Sequence, residues 1–515
     1  MTTEKKGFHA HDEDFLTPGD RRDPDYKDRP EPTHSPVSGI RLIGLLGGPI
    51  VAALILLSSA PEGMPLAAWH LVAMACWMVI WWLTEAIPIP ATALLPIVVM
   101  PLLEIDKIKP VAANYGHPLI FLFLGGFLLA AAMQHVGLHR RIALQIVSRV
   151  GTSPSRIILG FMLATAFLSM WISNTATTIM MFAVGLSVID FVAKQTDDKK
   201  IVRNFGVALM LSIAYSASIG GVGTLIGTPP NALLASFLQN TYNIEITFFN
   251  WMLLGVPVVA IMLPITWLLL TRLLFPSHQI AIEDPGSVVK TELAALGIMS
   301  RGEKLVAIVF FGAALGWIFR SLLVDLTGLP LNDTIIALLA ALILFAVPIS
   351  RSRGEFALDW EAARNVPWGV LLLFGGGLAL AGGFKGTGLA EWIGNAVAGV
   401  EVSTIVLVLL VTVAIVYLTE ITSNTASTAT FLPILAAVAV GLGLDPLILC
   451  VPVALGASMA FMMPVATPPN AIVFSYELME LRDMVRAGFL LNLVAIAVAF
   501  GLFTLLANFV FGVSL

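Results

Sequence analysis

The chain has 515 residues, of which 58% are hydrophobic and 12% charged, with a mean hydropathy of +0.91 and a formal net charge of −5. A soluble globular chain carries about 25% charged residues, so this composition excludes one and describes a polytopic membrane protein. Unpaired peptide groups are too costly in lipid for an open sheet, and β-barrel alternation is absent, so the spans are expected to be helices.

Residues 1–40 are rich in Asp, Arg, Pro and His and cannot bury a core. They read as a disordered cytoplasmic tail. They lack the apolar core and small-residue cleavage site of a secretory signal, so no removal is expected. His9 and His11 lie in this polar tail and are not read as a metal site.

Apolar runs follow near 42–59, 67–84, 90–103, 118–134, 157–193, 204–238, 248–275, 304–324, 334–349, 368–384, 402–442, 446–479 and 487–512. A helix needs about 17 to 25 residues to cross roughly 30 Å of hydrocarbon. Three runs are far too long for one simple span, and 446–479 is interrupted by ATPPN. The expected fold is all-α, with about eleven transmembrane helices. Cys76 and Cys450 both fall in apolar spans and read as buried small hydrophobes.

Arg41, Arg140 and Arg141, Lys194 to Arg203, Arg301 and Lys304, Arg351 and Arg353, and Arg482 and Arg486 mark loops expected to be cytoplasmic. Arg156 precedes the run 157–193, and Lys194, Lys199, Lys200 and Arg203 follow it, so both of its ends want the same side. Two half-helices of about 17 residues, entering from the cytoplasm and turning at Ser173-Asn174-Thr175, would satisfy this. Such a broken backbone is tolerated at membrane depth only where it is buried in protein or lines a cavity.

The motif SNTA recurs at Ser423 to Ala426, about 250 residues after Ser173. LGGFLLAAAMQHVGL (124–138) is echoed by FGGGLALAGGFKGTGL (374–389), and GTPPNA (227–232) by ATPPNA (466–471). Three echoes in one order indicate a unit used twice. The resulting organisation is a first helix in 41–66, a first repeat in 67–275 with its hairpin at 157–193, a cytoplasmic connection in 276–302, and a second repeat in 303–515 with its hairpin at 402–442. Counting crossings from a cytoplasmic N-terminus, the first repeat begins outside and the second inside, so the repeats are inverted. Inverted repeats with discontinuous helices are the architecture of secondary transporters, with the site at the midplane.

Each SNT tip offers an amide, two hydroxyls and the free N–H groups of a helix start, a set suited to an anion. Carbonyls freed at the ends of the incoming half-helices, with Ser, Thr and Asn oxygens, suit Na⁺. The prolines of Thr228-Pro229-Pro230-Asn231 and Thr467-Pro468-Pro469-Asn470 interrupt the helix and free further carbonyls. No Arg or Lys lies within the tips or these breaks, so the charge of a bound anion would be offset by dipoles and cations, which predicts cation coupling.

At this point the chain resembles the divalent anion/sodium symporters, which include bacterial dicarboxylate transporters of the INDY type. The paired SNT motifs, the two TPPN segments, WWLTEAIPIP (81–90) and the GGG-containing segment of the second half carry the resemblance, which spans nearly everything after residue 40. It implies a homodimer in which a scaffold domain stays fixed while a transport domain holding both hairpins moves as an elevator. It implies that Ser173, Asn174, Thr175, Ser423, Asn424, Thr425, Thr467 and Pro468 contact substrate carboxylates. One Na⁺ site would use Ser169, Ser173, Asn174 and backbone at Gly221 to Gly223, and the other Thr419, Ser423, Asn424 and Ala466. Independently, Ser169 and Thr419 each stand four residues before an SNT serine, and one helical turn puts them on the same face.

The expected function is sodium-coupled uptake of a di- or tricarboxylate such as succinate, malate or fumarate across the cytoplasmic (inner) membrane. No cofactor beyond the coupling ions and no nucleic-acid partner is expected. A sodium-independent dicarboxylate exchanger is the alternative within the family. An intramembrane enzyme using Ser173 or Ser423 lacks a base, since no His, Lys or paired Asp lies near either tip. Glu85 reads as interfacial or structural, and Glu420 divides evenly between support of the site and packing. Arg320 and Lys385 read as snorkelling residues at external span ends, and Trp81-Trp82 as part of an aromatic belt.

Overall fold

The computed structural model describes residues 39–515 apart from 152, 197, 277–285, 351, 353, 400 and 401. The expected N-terminal tail, with His9 and His11, lies almost wholly outside the described residues. Among those described, the only strands are the short antiparallel pair β1 (Pro348–Ser350) and β2 (Glu355–Phe356), and everything else with regular structure is helical.

The chain opens with α1 (Gly39–Leu57), α2 (Leu66–Thr84), the short α3 (Ile89–Thr92), α4 (Leu95–Leu102) and α5 (Ile108–Ala113). Then come α6 (Pro118–His135), α7 (Leu138–Val150), the pair α8 (Pro154–Ser169) and α9 (Asn174–Ala193), the pair α10 (Lys199–Gly221) and α11 (Pro229–Tyr242), and α12 (Phe248–Leu268) with its π-helical extension to Leu274. α13 (Gly286–Ala295) leads to α14 (Arg301–Ile318), α15 (Arg320–Thr327), α16 (Asp333–Ala346) and the short α17 (Trp360–Arg364). The series closes with α18 (Trp368–Gly386), α19 (Leu389–Val397), α20 (Thr404–Leu418), α21 (Asn424–Gly441), α22 (Leu447–Ala457), α23 (Pro468–Phe474) and α24 (Leu481–Phe511).

By length and composition nine of the described helices can cross a membrane, or ten if the bent pair α14–α15 is one span. That count includes α9 and α21, each the longer arm of a hairpin, and omits short apolar helices such as α16 and α22. The sequence count of eleven took each hairpin as not crossing and admitted the short spans, and this accounts for the difference.

The internal repeat is visible as an order of elements. α18, α20 and α21 each begin 250 residues after α6, α8 and α9. In both halves a helix pair is followed by a helix that breaks and resumes at a TPPN motif, at 222–228 in the first and 458–467 in the second. The two halves are interlocked: α23 packs on α9 and α10, while α11 packs on α21 and α22. Each hairpin therefore leans through one arm on the broken helix of the other repeat.

Several helix starts near loops are capped in the ordinary way. Asp198 accepts from Lys200 and Ile201, Thr247 from Asn250 and Asn332 from Ile335, and Ser300 with Glu303 forms a capping box. Ion pairs join the loops. Arg140 meets Glu292 at 2.5 Å, Arg141 meets Glu303 at 2.6 Å and Arg203 meets Asp483 at 2.7 Å. At the other ends of the helices Arg320 reaches Glu245 at 2.9 Å and Asp333 at 3.2 Å. Arg320 is thus mostly buried between two carboxylates rather than reaching out along an apolar surface, and Lys385 Nζ donates to the Thr241 carbonyl at 2.8 Å. Glu85 sits exposed at the end of α2, 3.6 Å from Arg41. Large apolar side chains crowd the outside of α1 and of α14 to α16, where Ile43, Ile308 and Leu342 are mostly exposed. This is the surface a hydrocarbon solvent selects.

Candidate functional site

The first turn, residues 170–173, separates α8 from α9, and Ser173 occupies the N-cap position of α9 without making a capping bond. Ser423 does the same at α21. At several other starts, among them those at Asp198, Thr247, Asn332 and Asp359, the residue at this position covers orphan N–H groups of the first turn, whereas Ser153, Thr228 and Ser403 leave them uncapped as the SNT serines do. At the two SNT turns those groups stay uncovered, at the positive ends of helices of 20 and 18 residues.

Around each turn a hydroxyl and an asparagine are paired. Ser169, fully buried in the last turn of α8, touches the Asn174 carboxamide and lies 2.7 Å from the Ala217 carbonyl. With its NH₂ facing that side, Asn174 also donates to the carbonyls of Ala217 and Gly227, each at 3.2 Å. In the second half Thr419 Oγ1 lies 2.7 Å from Asn424 Oδ1 and 3.1 Å from the Ala457 carbonyl. In both halves the hydroxyl meets the asparagine five residues on, across the non-helical turn, and not the SNT serine that the one-turn spacing pairs with it.

The glycines of the first break are there because the backbones touch. A Cβ on Gly221 would stand 2.8 Å from the Asn174 carboxamide, and one on Gly227 would stand 2.4 Å from the Gly221 carbonyl oxygen. Gly223 lies beside Met170 and points its carbonyl toward Gly255 of α12. Gly221 and Gly227 are therefore the glycines brought to Asn174, while Val222 turns its carbonyl to Trp251 Nε1 at 2.8 Å.

The asparagine of each TPPN motif is fully buried and ties its break shut. Asn231 donates to the carbonyls of Gly221, Val222 and Thr224, and Asn470 to those of Ala460 and Met463. The carbonyls freed by the prolines are thus not all vacant, because the amide two residues on claims several of them. Thr467 caps α23 through the Asn470 N–H at 3.2 Å, Pro468 is exposed, and Ala466 is buried just before them with its N–H on Met463. Thr224 completes the first site by bonding the Met170 carbonyl at the turn.

Ser173 and Thr175 face a cavity of about 600 Å³ that also reaches Gln134 and His135 at the end of α6 and Asn365 beside α17. Ser173 is exposed there, and no Lys or Arg lines the space. Ser423, Asn424 and Thr425 are half-buried and lie outside this cavity. The side of the first tip away from it is held by aromatics. Trp171 stacks on Phe248 and Trp317, with centroids 5.9 and 6.5 Å away, and meets Phe310 edge-on.

Two further residues carry more than sequence reasoning gave them. The buried Glu420 carboxylate accepts from the N–H groups of Phe461, Met462 and Met463 and from Asn492 Nδ2 at 2.7 Å. Trp171 forms the aromatic wall just described. A carboxylate within an apolar run signals the first; no local pattern signals the second.

Comparison with known proteins follows the geometry. Residues 41–513 match the family model described as the sodium:sulfate symporter transmembrane region. Similar curated proteins include the sodium-dependent dicarboxylate transporter SdcS of Staphylococcus saprophyticus, 42% identical over 465 residues, covering 89% of this chain and 90% of the relative. SdcS of Staphylococcus aureus strain USA300 is also 42% identical, over 469 residues with the same coverage. Among solved structures, the YdaH transporter of Alcanivorax borkumensis aligns with a TM-score of 0.53 at 15% identity, over 91% of this chain and 97% of that one, a likeness of fold alone. With a family match over nearly the whole apolar chain and relatives of this identity, the protein belongs to the divalent anion/sodium symporter family.

Proposed function

We propose that the protein is a secondary active transporter that couples Na⁺ influx to uptake of a di- or tricarboxylate such as succinate, malate or fumarate across the cytoplasmic membrane. The observation that carries this reading is the pair of uncapped SNT helix starts, each beside a hydroxyl, asparagine and carbonyl cluster. The helix starts offer N–H groups to carboxylates and the clusters offer oxygens to a hard cation. The names of the relatives, both sodium-dependent dicarboxylate transporters, agree with it.

In this reading Ser173, Asn174, Thr175, Ser423, Asn424, Thr425, Thr467 and Pro468 hold the substrate. Ser169, Ser173, Asn174 and Gly221 surround one Na⁺, with Gly227 beside Asn174 where the sequence reading puts Gly223, and Thr419, Ser423, Asn424 and Ala466 surround the other. With no Lys or Arg at the turns, the bound cations neutralise the carboxylates, so anion binding and cation binding reinforce each other. That reciprocity is the physical basis of coupling. The basic loops face the cytoplasm together with the N-terminus, and the chain works as a homodimer whose hairpin-bearing part moves as an elevator against a fixed scaffold.

Reconstituted into liposomes, the protein should accumulate labelled succinate under an inward Na⁺ gradient and not under an equal K⁺ gradient. Uptake that requires internal dicarboxylate and ignores Na⁺ would instead make it an exchanger. Competition by malate, fumarate, citrate and sulfate, with and without Na⁺, sets the substrate range.

A further inference from the structure

The two half-sites differ at one residue next to the paired hydroxyl. After Ser169 comes Met170, whereas after Thr419 comes Glu420. Glu420 is 3% exposed, and all four of its partners are donors: three successive N–H groups of the 458–467 break and the amide of Asn492 on α24. A protonated carboxyl would present a donor of its own, so this donor set suits the charged form. None of its bonds goes to a cationic side chain.

In a trans peptide the C=O points opposite to the N–H it is joined to. Turning the N–H groups of Phe461, Met462 and Met463 onto Glu420 therefore aims the carbonyls of Ala460, Phe461 and Met462 the other way. Asn470 holds the first of these at 3.3 Å. The second break, longer than the first, is stretched between a carboxylate at the hairpin turn and an amide at the start of α23.

We propose that Glu420 is a positioning residue for the cation bound at Thr419 and Asn424. It sets the distance between the second hairpin turn and the second break, and it supplies a fixed negative charge that makes this the tighter of the two Na⁺ sites. The inference rests on the sodium-coupled reading above and adds an inequality between the sites which the repeat alone does not contain.

The test measures the Na⁺ concentration for half-maximal succinate uptake, the succinate KM at saturating Na⁺, and the Na⁺-induced rise in melting temperature of purified protein without substrate. Glu420→Gln should raise the Na⁺ requirement by about tenfold or more, as loss of charge-assisted hydrogen bonds implies. It should move the succinate KM at saturating Na⁺ by less than about threefold and abolish most of the Na⁺-induced thermal shift. Asn492→Leu, which removes one donor and keeps the carboxylate, should raise the Na⁺ requirement by about two- to threefold. If Glu420→Gln does not reach the membrane, that second variant decides the matter. Unchanged Na⁺ dependence in either folded variant, or a succinate KM that moves as far as the Na⁺ requirement, would overturn the role of Glu420. A wild type that ignores Na⁺ would overturn the sodium reading itself.

Discussion

Asn174 and Asn424 stand where two demands meet, since each begins a helix and each touches the hydroxyl one turn back. Removing the Asn174 amide takes a partner from a buried hydroxyl and two carbonyls, and removing that of Asn424 takes one from the buried Thr419 hydroxyl, at about 1 to 3 kcal/mol for each group left unpaired. Asn174→Ala and Asn424→Ala should therefore cut succinate uptake by about 100-fold or more while the protein still reaches the membrane, as tracer uptake beside surface quantification would show. Gly221→Ala should do the same for another reason: its methyl would press on the Asn174 carboxamide at 2.8 Å, and the turn would have to open. Wild-type Na⁺ dependence in Gly221→Ala would place the first cation away from this turn. That Ser169 and Thr419 lie beside the SNT motifs was legible in the sequence from their spacing, but the partner is the asparagine and not the serine, because the chain leaves the helix between them. Which glycine carbonyl approaches Asn174 was not, because that depends on the direction of a non-helical break. The service of Asn231 and Asn470 as staples was hidden too, since a buried amide and a ligand look alike in a sequence.

Between elements, charge does structural work that a sorting of loops by sign does not reveal. Arg141 in α7 reads as a marker of the cytoplasmic side, yet its guanidinium is buried. It bonds both oxygens of Glu303 and the carbonyls of Leu296 and Gly297, fixing α7 to the start of α14. Removing one partner of a buried pair costs about 3 to 5 kcal/mol because the other charge is left uncompensated. Arg141→Leu should lower the melting temperature in detergent markedly. Arg141→Lys should recover only part of the loss, since an ammonium cannot fork across a carboxylate and two carbonyls. Equal melting of all three proteins would show that α7 is anchored by its apolar face instead. The first hairpin was readable from basic residues flanking an overlong apolar run, and the second from its echo of the first. The aromatic wall on Trp171 was not, because Phe248, Phe310 and Trp317 come from α12 and α14, more than 70 residues away in sequence.

For the molecule as a whole, the class of fold was written in composition and the doubling in three ordered echoes. Composition could not supply the way the halves embrace, which is a property of packing. If bound cations outnumber the charges of the anion, an inside-negative potential should speed uptake, each net charge gaining about 2.3 kcal/mol per 100 mV. A potassium diffusion potential imposed on the liposomes measures this, and a rate indifferent to it would mean that the cargo crosses neutral. The crossed packing of α9 with α23 and of α21 with α11 carries its own implication. Because an arm of each hairpin is packed against the opposite repeat, a displacement of one hairpin is transmitted to the other. The two halves are yoked, and neither hairpin can shift while its twin stands still.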